Sequence, residues 1–315
     1  TYAEIANRGG GILNSALQLQ DTSEDELYEQ SMRRLNEIIT MGTGAVEIKT
    51  GYGLTVEAEL KMLKVIRRIK QDTLAKIAPT LLAAHAIPTE FKDNKQDYID
   101  KIINELIPKA SALRIAKYID VFCEDGYFSV EDTEAILKAG KKYKLIPKIH
   151  VNQFNILGGV KLGVDYKALS VDHLEELDKK DIEALKCSNT MPVALPACSY
   201  FLGIPYTPAR KIIDAGLPLA IATDYNPGST PSGNMNFVVS TACIKLKMTP
   251  EEAINAATVN GAYAMGFSNM YGSITRGKKA NIIITKPMDS YAQIPYEFAH
   301  DPIDTVIING QVLVK

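Results

Sequence analysis

Along this 315-residue chain, stretches of helical spacing alternate with short apolar runs. Positions 22–41 repeat apolar residues at helical intervals, with Thr22 or Ser23 as the N-cap and acids in the first turn. Short runs at 45–49, 76–84, 118–123, 146–150, 168–172, 190–195 and 217–224 read as strands buried on both faces. Helical patterns separate them at about 56–70, 98–111, 130–143, 158–162, 178–186 and 208–215. Strand and helix in strict alternation predict a parallel sheet with right-handed crossovers.

Polar and ionisable residues recur where those strands end, which favours a closed barrel over a doubly wound sheet. The predicted fold is α/β: a (β/α)8 TIM-like barrel, with part of a small β-sandwich domain. Seven strands are one short of eight, and the chain opens on Thr1. The first barrel strand is therefore expected upstream. The tail differs from the rest. Helices near 235–246 and 250–265 are followed by short strands at 272–274 and 280–285. A hairpin at 305–314 turns on Asn309-Gly310. The expected division is residues 1–268 for the barrel and 269–315 for the C-terminal part of the β-domain.

Composition narrows the function classes. The chain is 46% hydrophobic and 23% charged, with a net charge of −2 and no basic block. Nucleic acid is therefore not an expected partner. No apolar run approaches the ~20 residues of a membrane span. Cys123, Cys187, Cys198 and Cys243 form no CxxC pair and read as reduced thiols, which suits a cytoplasmic location. Neither a phosphate-cradling glycine loop nor a GxSxG nucleophile elbow is present.

The strand ends carry the chemistry. Asp224 closes the run AGLPLAIATD, and a carboxylate there faces the mouth of a barrel. It needs a metal, a cation or a proton beside it. His85, His150 and His173 also fall at or near strand ends. One acid with several imidazoles suggests a metal that activates water. Alone, His150 in KIHVNQ reads as a core histidine; with Asp224 it reads as a ligand. His173 in SVDHLEE could ligate a second metal, orient water, stabilise an oxyanion or support another residue. Asp172 and Glu175 read as solvated or supporting acids. Tyr52 in EIKTGYGL and His85 in LAAHAIPTE should lie over the mouth and hold polar substrate groups, although Tyr52 could simply pack. Gly228 and Ser229 in the Asn226-Pro227-Gly228-Ser229 turn can approach a ligand closely, or merely turn the chain.

Taken together, TYAEIANRGGGI, EIKTGYGL, APTLLAAHAIP, DVFCEDGYF, HVNQF, SVDHLEE, ATDYNPGS and AATVNGAYAMG closely resemble the imidazolonepropionases of the amidohydrolase superfamily. The resemblance implies hydrolysis of the ring amide of 4-imidazolone-5-propanoate to N-formimidoyl-L-glutamate, in histidine degradation. It implies zinc or iron, one ion per subunit, with His150 and Asp224 as metal ligands. His173, Asp224 and Gln153 become the catalytic residues. Tyr52, His85, Gln153, Asn226, Gly228, Ser229 and Tyr2 become substrate contacts. Gln153 stands where some members carry a glutamate; an amide cannot take a proton, so the base role passes to Asp224 or His173. The family's His-x-His pair, which supplies two further ligands, is absent from this sequence. It is expected upstream together with an arginine for the propionate. A homodimer is expected. The alternatives are another amidohydrolase, such as a cyclic amidine deaminase or cyclic amide hydrolase, or a non-catalytic barrel remnant.

Overall fold

The structure, a computed structural model, describes residues 12–298 and 300–313. Its strands are β1 (Ala45–Lys49), β2 (Lys76–Ala84), β3 (Tyr118–Cys123), β4 (Ile146–Pro147), β5 (Ile149–Val151), β6 (Ser170–His173), β7 (Met191–Ala194) and β8 (Ala220–Ile221). They hydrogen-bond in the order β1-β2-β3-β5-β6-β7-β8, with β4 beside β3. All neighbours are parallel. Among the described residues β1 and β8 do not pair with each other, so the sheet is a partial TIM barrel.

Helices begin where the sequence supplies caps. Ser23 accepts from the Glu26 N–H and Thr55 from that of Ala58. Capping boxes start the helices at Ser129, Asp178 and Thr249. The helices cover the sheet's outer face, and Leu63, Ile77, Leu81, Ile119, Ile136, Ile149 and Val171 fill the space between.

Several expectations need correction. The 146–150 run splits around Pro147-Lys148, because proline has no N–H for the ladder. β8 stops at Ile221; Asp224 has φ +53° and the chain has already left the sheet. Residues 272–274 are no strand, since Gly272 turns the chain at φ +92°. Helices at Ile12–Asp21 and Pro196–Leu202 were not expected. The helices around 98–111 and 250–265 each contain a π-helical turn, at Ile102–Leu106 and Ala256–Asn260.

A second, antiparallel sheet joins β9 (Ile282–Thr285), β10 (Ile303–Ile308) and β11 (Gln311–Leu313) in the order β11-β10-β9. Asn309 (φ +51°) and Gly310 (φ +82°) make the expected two-residue turn. Ile303, Val306 and Ile308 join the main core. The Asn281 and Asn309 amides donate to the carbonyls of Gly44 (3.1 Å) and Leu74 (2.8 Å), just before β1 and β2. The small sheet therefore docks at the amino ends of these strands, leaving their carboxyl ends to the site. No helix among the described residues is long and apolar enough to cross a membrane.

Candidate active site

A cavity of about 970 Å³ opens at the carboxyl ends of the strands and runs along β1 to its amino end, where Gly44, Ile283 and Ile303 also line it. His85, just past β2, His150 in β5, His173 at the end of β6 and Asp224 beyond β8 all line it. So do Tyr52, Gln153, Asn226 and Ser229; Gly228 does not, and Tyr2 lies outside the described residues. Five non-glycine residues at this end take left-handed backbone angles: Leu54 (φ +58°), Asn152 (+56°), His173 (+88°), Leu174 (+64°) and Asp224 (+53°). Such strain costs of order 1–3 kcal/mol per residue and persists only where surrounding contacts impose it.

His150 has one nitrogen committed. Its Nδ1 lies 2.9 Å from Asp120 Oδ1, and a carboxylate can only accept, so Nδ1 carries a proton and Nε2 is the nitrogen left for a ligand. Lys49 Nζ donates to Asp120 (2.6 Å) and Asp172 (3.0 Å), and the Ser170 hydroxyl also donates to Asp172. Burial would raise the pKa of Asp120, but His150 and Lys49 outweigh it and hold the carboxyl far below the usual range. Burial likewise opposes ionisation of Asp172, yet Lys49 and Lys148 bring it down to about 2. Lys49 is itself raised well above its ordinary value, Asp120 and Asp172 overcoming its desolvation. Donor atoms of Asp120, His150 and Asp172 lie within 4.8 Å of one another, a spacing compatible with a metal. The Lys49 ammonium already bridges the two carboxylates, however. We read this cluster as the support beneath His150 and its outward Nε2 as the ligand atom.

His173 is supported differently. Its Nδ1 is 3.5 Å from Glu175 Oε2, a charge pair too long for a good hydrogen bond, and neither atom has a hydrogen-bond partner. Ser199 donates to the other Glu175 oxygen (3.2 Å), and Thr207 donates to the His173 carbonyl (2.7 Å). Burial lowers the His173 pKa, but Glu175, then Asp224 and Asp172, raise it by more, so it stands above its ordinary value. Phe122 sits among the histidines, with ring centroids 6.2–6.4 Å from His85, His150 and His173.

The turn after β8 is built around Asp224. Ser229 Oγ donates to Oδ2 (2.6 Å) and Asn226 Nδ2 to Oδ1 (3.0 Å). The Gly228 and Ser229 N–H groups donate to Asn226 Oδ1, both at 2.9 Å. The side chains expected to meet substrate thus also fix the carboxylate. Cys198 is adjacent: burial, with Asp224 and Glu175 next, pushes its thiol far up, so it stays neutral. Gln153 Nε2 lies 3.8 Å from its sulfur.

Burial, then His150, lowers the His85 pKa to about 4, so the ring is neutral. Its Nδ1 donates to the Gly51 carbonyl (3.0 Å), leaving Nε2 as an acceptor, and the Tyr52 ring meets it edge-on at 5.0 Å. Of the residues singled out in the sequence, Tyr52, His85, His150, Gln153, His173, Asp224, Asn226 and Ser229 line the cavity. The sequence reading did not single out Lys49, which closes β1 and lines the cavity, nor Asp120 and Glu59, which sit inside a strand and a helix where a charge carries no strand-end signal.

The sequence model of the amidohydrolase family matches residues 9–313. The imidazolonepropionase of Flavobacterium johnsoniae is 66% identical over 99% of this chain and 76% of its own length. That of Thermoanaerobacter pseudethanolicus is 43% identical, over 97% and 74%. The chain belongs to the imidazolonepropionase family of amidohydrolases. Solved structures of low sequence identity share the fold. A zinc-bound adenosine deaminase from Xanthomonas campestris superposes with a TM-score of 0.71 at 16% identity, covering 92% of this chain and 70% of that one. An ochratoxinase from A. niger gives 0.70 at 19% identity, over 93% and 77%.

Proposed function

We propose that the chain hydrolyses the ring amide of 4-imidazolone-5-propanoate to N-formimidoyl-L-glutamate, the step its relatives' name denotes in histidine degradation. The observation that carries the reading is the outward Nε2 of His150, fixed by Asp120, in one cavity with Asp224 and His173. An imidazole lone pair and a carboxylate suit a divalent ion such as zinc or iron, and His150 and Asp224 would hold it. Such an ion would supply Lewis acidity toward water and the ring carbonyl.

The remaining roles belong to the chain. Asp224 is the base that takes the proton of the attacking water, its two oxygens aimed by Ser229 and Asn226. The water oxygen bonds to the ring carbonyl carbon. His173 donates to the oxygen on which charge develops. The carbon–nitrogen bond then breaks, and the proton held on Asp224 passes to the ring nitrogen. Neutral His85 accepts a substrate N–H at Nε2, and Tyr52 and Gln153 line the same wall. We assign residues 1–268 to the barrel and 269–315 to the small β-domain, and place the enzyme in the cytoplasm as a homodimer.

The test is substrate preference. The natural full-length protein, loaded with zinc or iron, should consume imidazolone propionate with a kcat/KM far above that for guanine, cytosine or hydantoin. A purine or pyrimidine as the better substrate would place it with the deaminases instead.

A further inference from the structure

Glu59 is wholly buried on the helix Val56–Asp72, and its carboxylate does not line the cavity. It nevertheless organises one wall of that cavity. Its oxygens accept the N–H groups of Gly51 (2.9 Å), Gly53 (2.7 Å) and Leu54 (3.0 Å). The Thr50 hydroxyl accepts the Leu82 N–H at 3.1 Å and ties the start of the loop to β2. Burial holds the Glu59 pKa above its ordinary value, although Thr50 and the Leu54, Gly51 and Gly53 N–H groups favour the charged form. The Gly51, Gly53 and Leu54 N–H groups are thus folded around one internal carboxylate.

The loop has little freedom once closed. Gly51 has φ +105°, and a Cβ there would lie 2.6 Å from the Leu82 carbonyl oxygen. A Cβ on Gly53 would lie 2.6 Å from the Glu59 nitrogen. The loop's outer side reaches the cavity through two groups. The Gly51 carbonyl fixes the His85 tautomer, and Tyr52 packs edge-on against that ring.

We infer that Glu59 is a positioning residue for substrate binding: its carboxylate, through the Gly51–Leu54 backbone, sets the place of Tyr52 and the tautomer of His85. The inference rests on the proposed imidazolonepropionase reading for its kinetic half only. An amide at position 59 would turn at least one acceptor into a donor facing backbone N–H groups. The wall should loosen while His150, His173 and Asp224 stay in place.

The experiment compares wild type, Glu59→Gln and Glu59→Asp in the natural full-length protein, with metal content measured in each. For Glu59→Gln, KM for imidazolone propionate should rise about 10-fold or more, as expected for a lost hydrogen bond to a charged group, with kcat within about 3-fold. Metal content should match wild type. Glu59→Asp, which keeps the charge, should fall between the two and supplies the readout if Glu59→Gln does not fold. Nitrogen-15 NMR of His85 is read in parallel without substrate. Wild type should show a proton on Nδ1, and the variants a mixture of tautomers. An unchanged KM with an unchanged His85 spectrum, or a loss confined to kcat, would overturn the inference. A wild type inactive on imidazolone propionate would overturn the functional reading alone, because the His85 spectra would still decide the role of Glu59.

Discussion

His150 Nδ1 and Asp120 Oδ1 are 2.9 Å apart, and this contact determines which nitrogen of the ring faces the cavity. β3 and β5 are neighbours, with Phe122 paired to His150, so two adjacent strands deliver the acid and the base. A carboxylate behind a metal-binding imidazole fixes the tautomer and raises its basicity.

Asp120→Asn should therefore weaken metal retention without removing a ligand. Loss of such an outer partner typically costs ~10–100-fold in affinity or activity. Chelator titration of the metal-loaded protein reads this directly. A variant as resistant to chelation as wild type would show that His150 does not depend on Asp120.

Lys49 makes a separate prediction. It is the close cation between Asp120 and Asp172, and its side chain is only 22% exposed. Lys49→Met leaves two buried carboxylates facing each other, and breaking a buried pair in this way costs about 3–5 kcal/mol. Urea unfolding should show the loss as a lower midpoint. An unchanged midpoint would mean that Asp120 and Asp172 are neutralised by other groups.

These two residues also show where the sequence was legible. His85, His150, His173 and Asp224 stand out because each follows an apolar run, and position relative to a strand end is a periodicity signal. Lys49 closes β1 after AVEI and Asp120 sits inside β3 in YIDVF, and in neither place does the hydropathy pattern point to a partner. Their meaning appears only when β1, β3 and β6 are curled into one sheet and Lys49 reaches both Asp120 and Asp172. Glu59 looked like one more charge on an amphipathic helix. The alternation of elements was readable because it depends on local spacing. The end of β8 was not, because the left-handed turn at Asp224 is imposed by Asn226 and Ser229 rather than by hydropathy.

His173 and Glu175 should couple stability to pH. The folded pKa of His173 is raised above 6.5, so its contribution is fully present below that value and is lost as pH rises through the folded pKa. Glu175→Gln removes the largest favourable cause and should lower that pKa. Between about pH 6 and pH 8 the wild type should lose more stability than the variant. Imidazole NMR titration with denaturant midpoints across that range gives both quantities. A His173 pKa that does not move in Glu175→Gln would leave the 3.5 Å pair without electrostatic weight.

Asp224 and Ser229 separate catalysis from binding. Asp224→Asn retains the shape of the side chain but cannot accept a proton, and general-base losses are typically ~10²–10⁴-fold in kcat. KM should move much less, since Tyr52 and His85 hold the substrate on another wall. Ser229→Ala tests the turn itself. The sequence suggested that Ser229 meets the substrate, and a lost substrate contact would raise KM. In the structure its hydroxyl donates to Asp224 Oδ2 at 2.6 Å, so its removal should act through the base. A hydrogen bond to a charged group contributes ~1.5–3 kcal/mol, which corresponds to about a 10–150-fold fall in kcat with KM nearly constant. Steady-state kinetics on the metal-loaded protein distinguish the two. A rise in KM at constant kcat would return Ser229 to the substrate, and the effect of Asp224→Asn would then have to be explained without it.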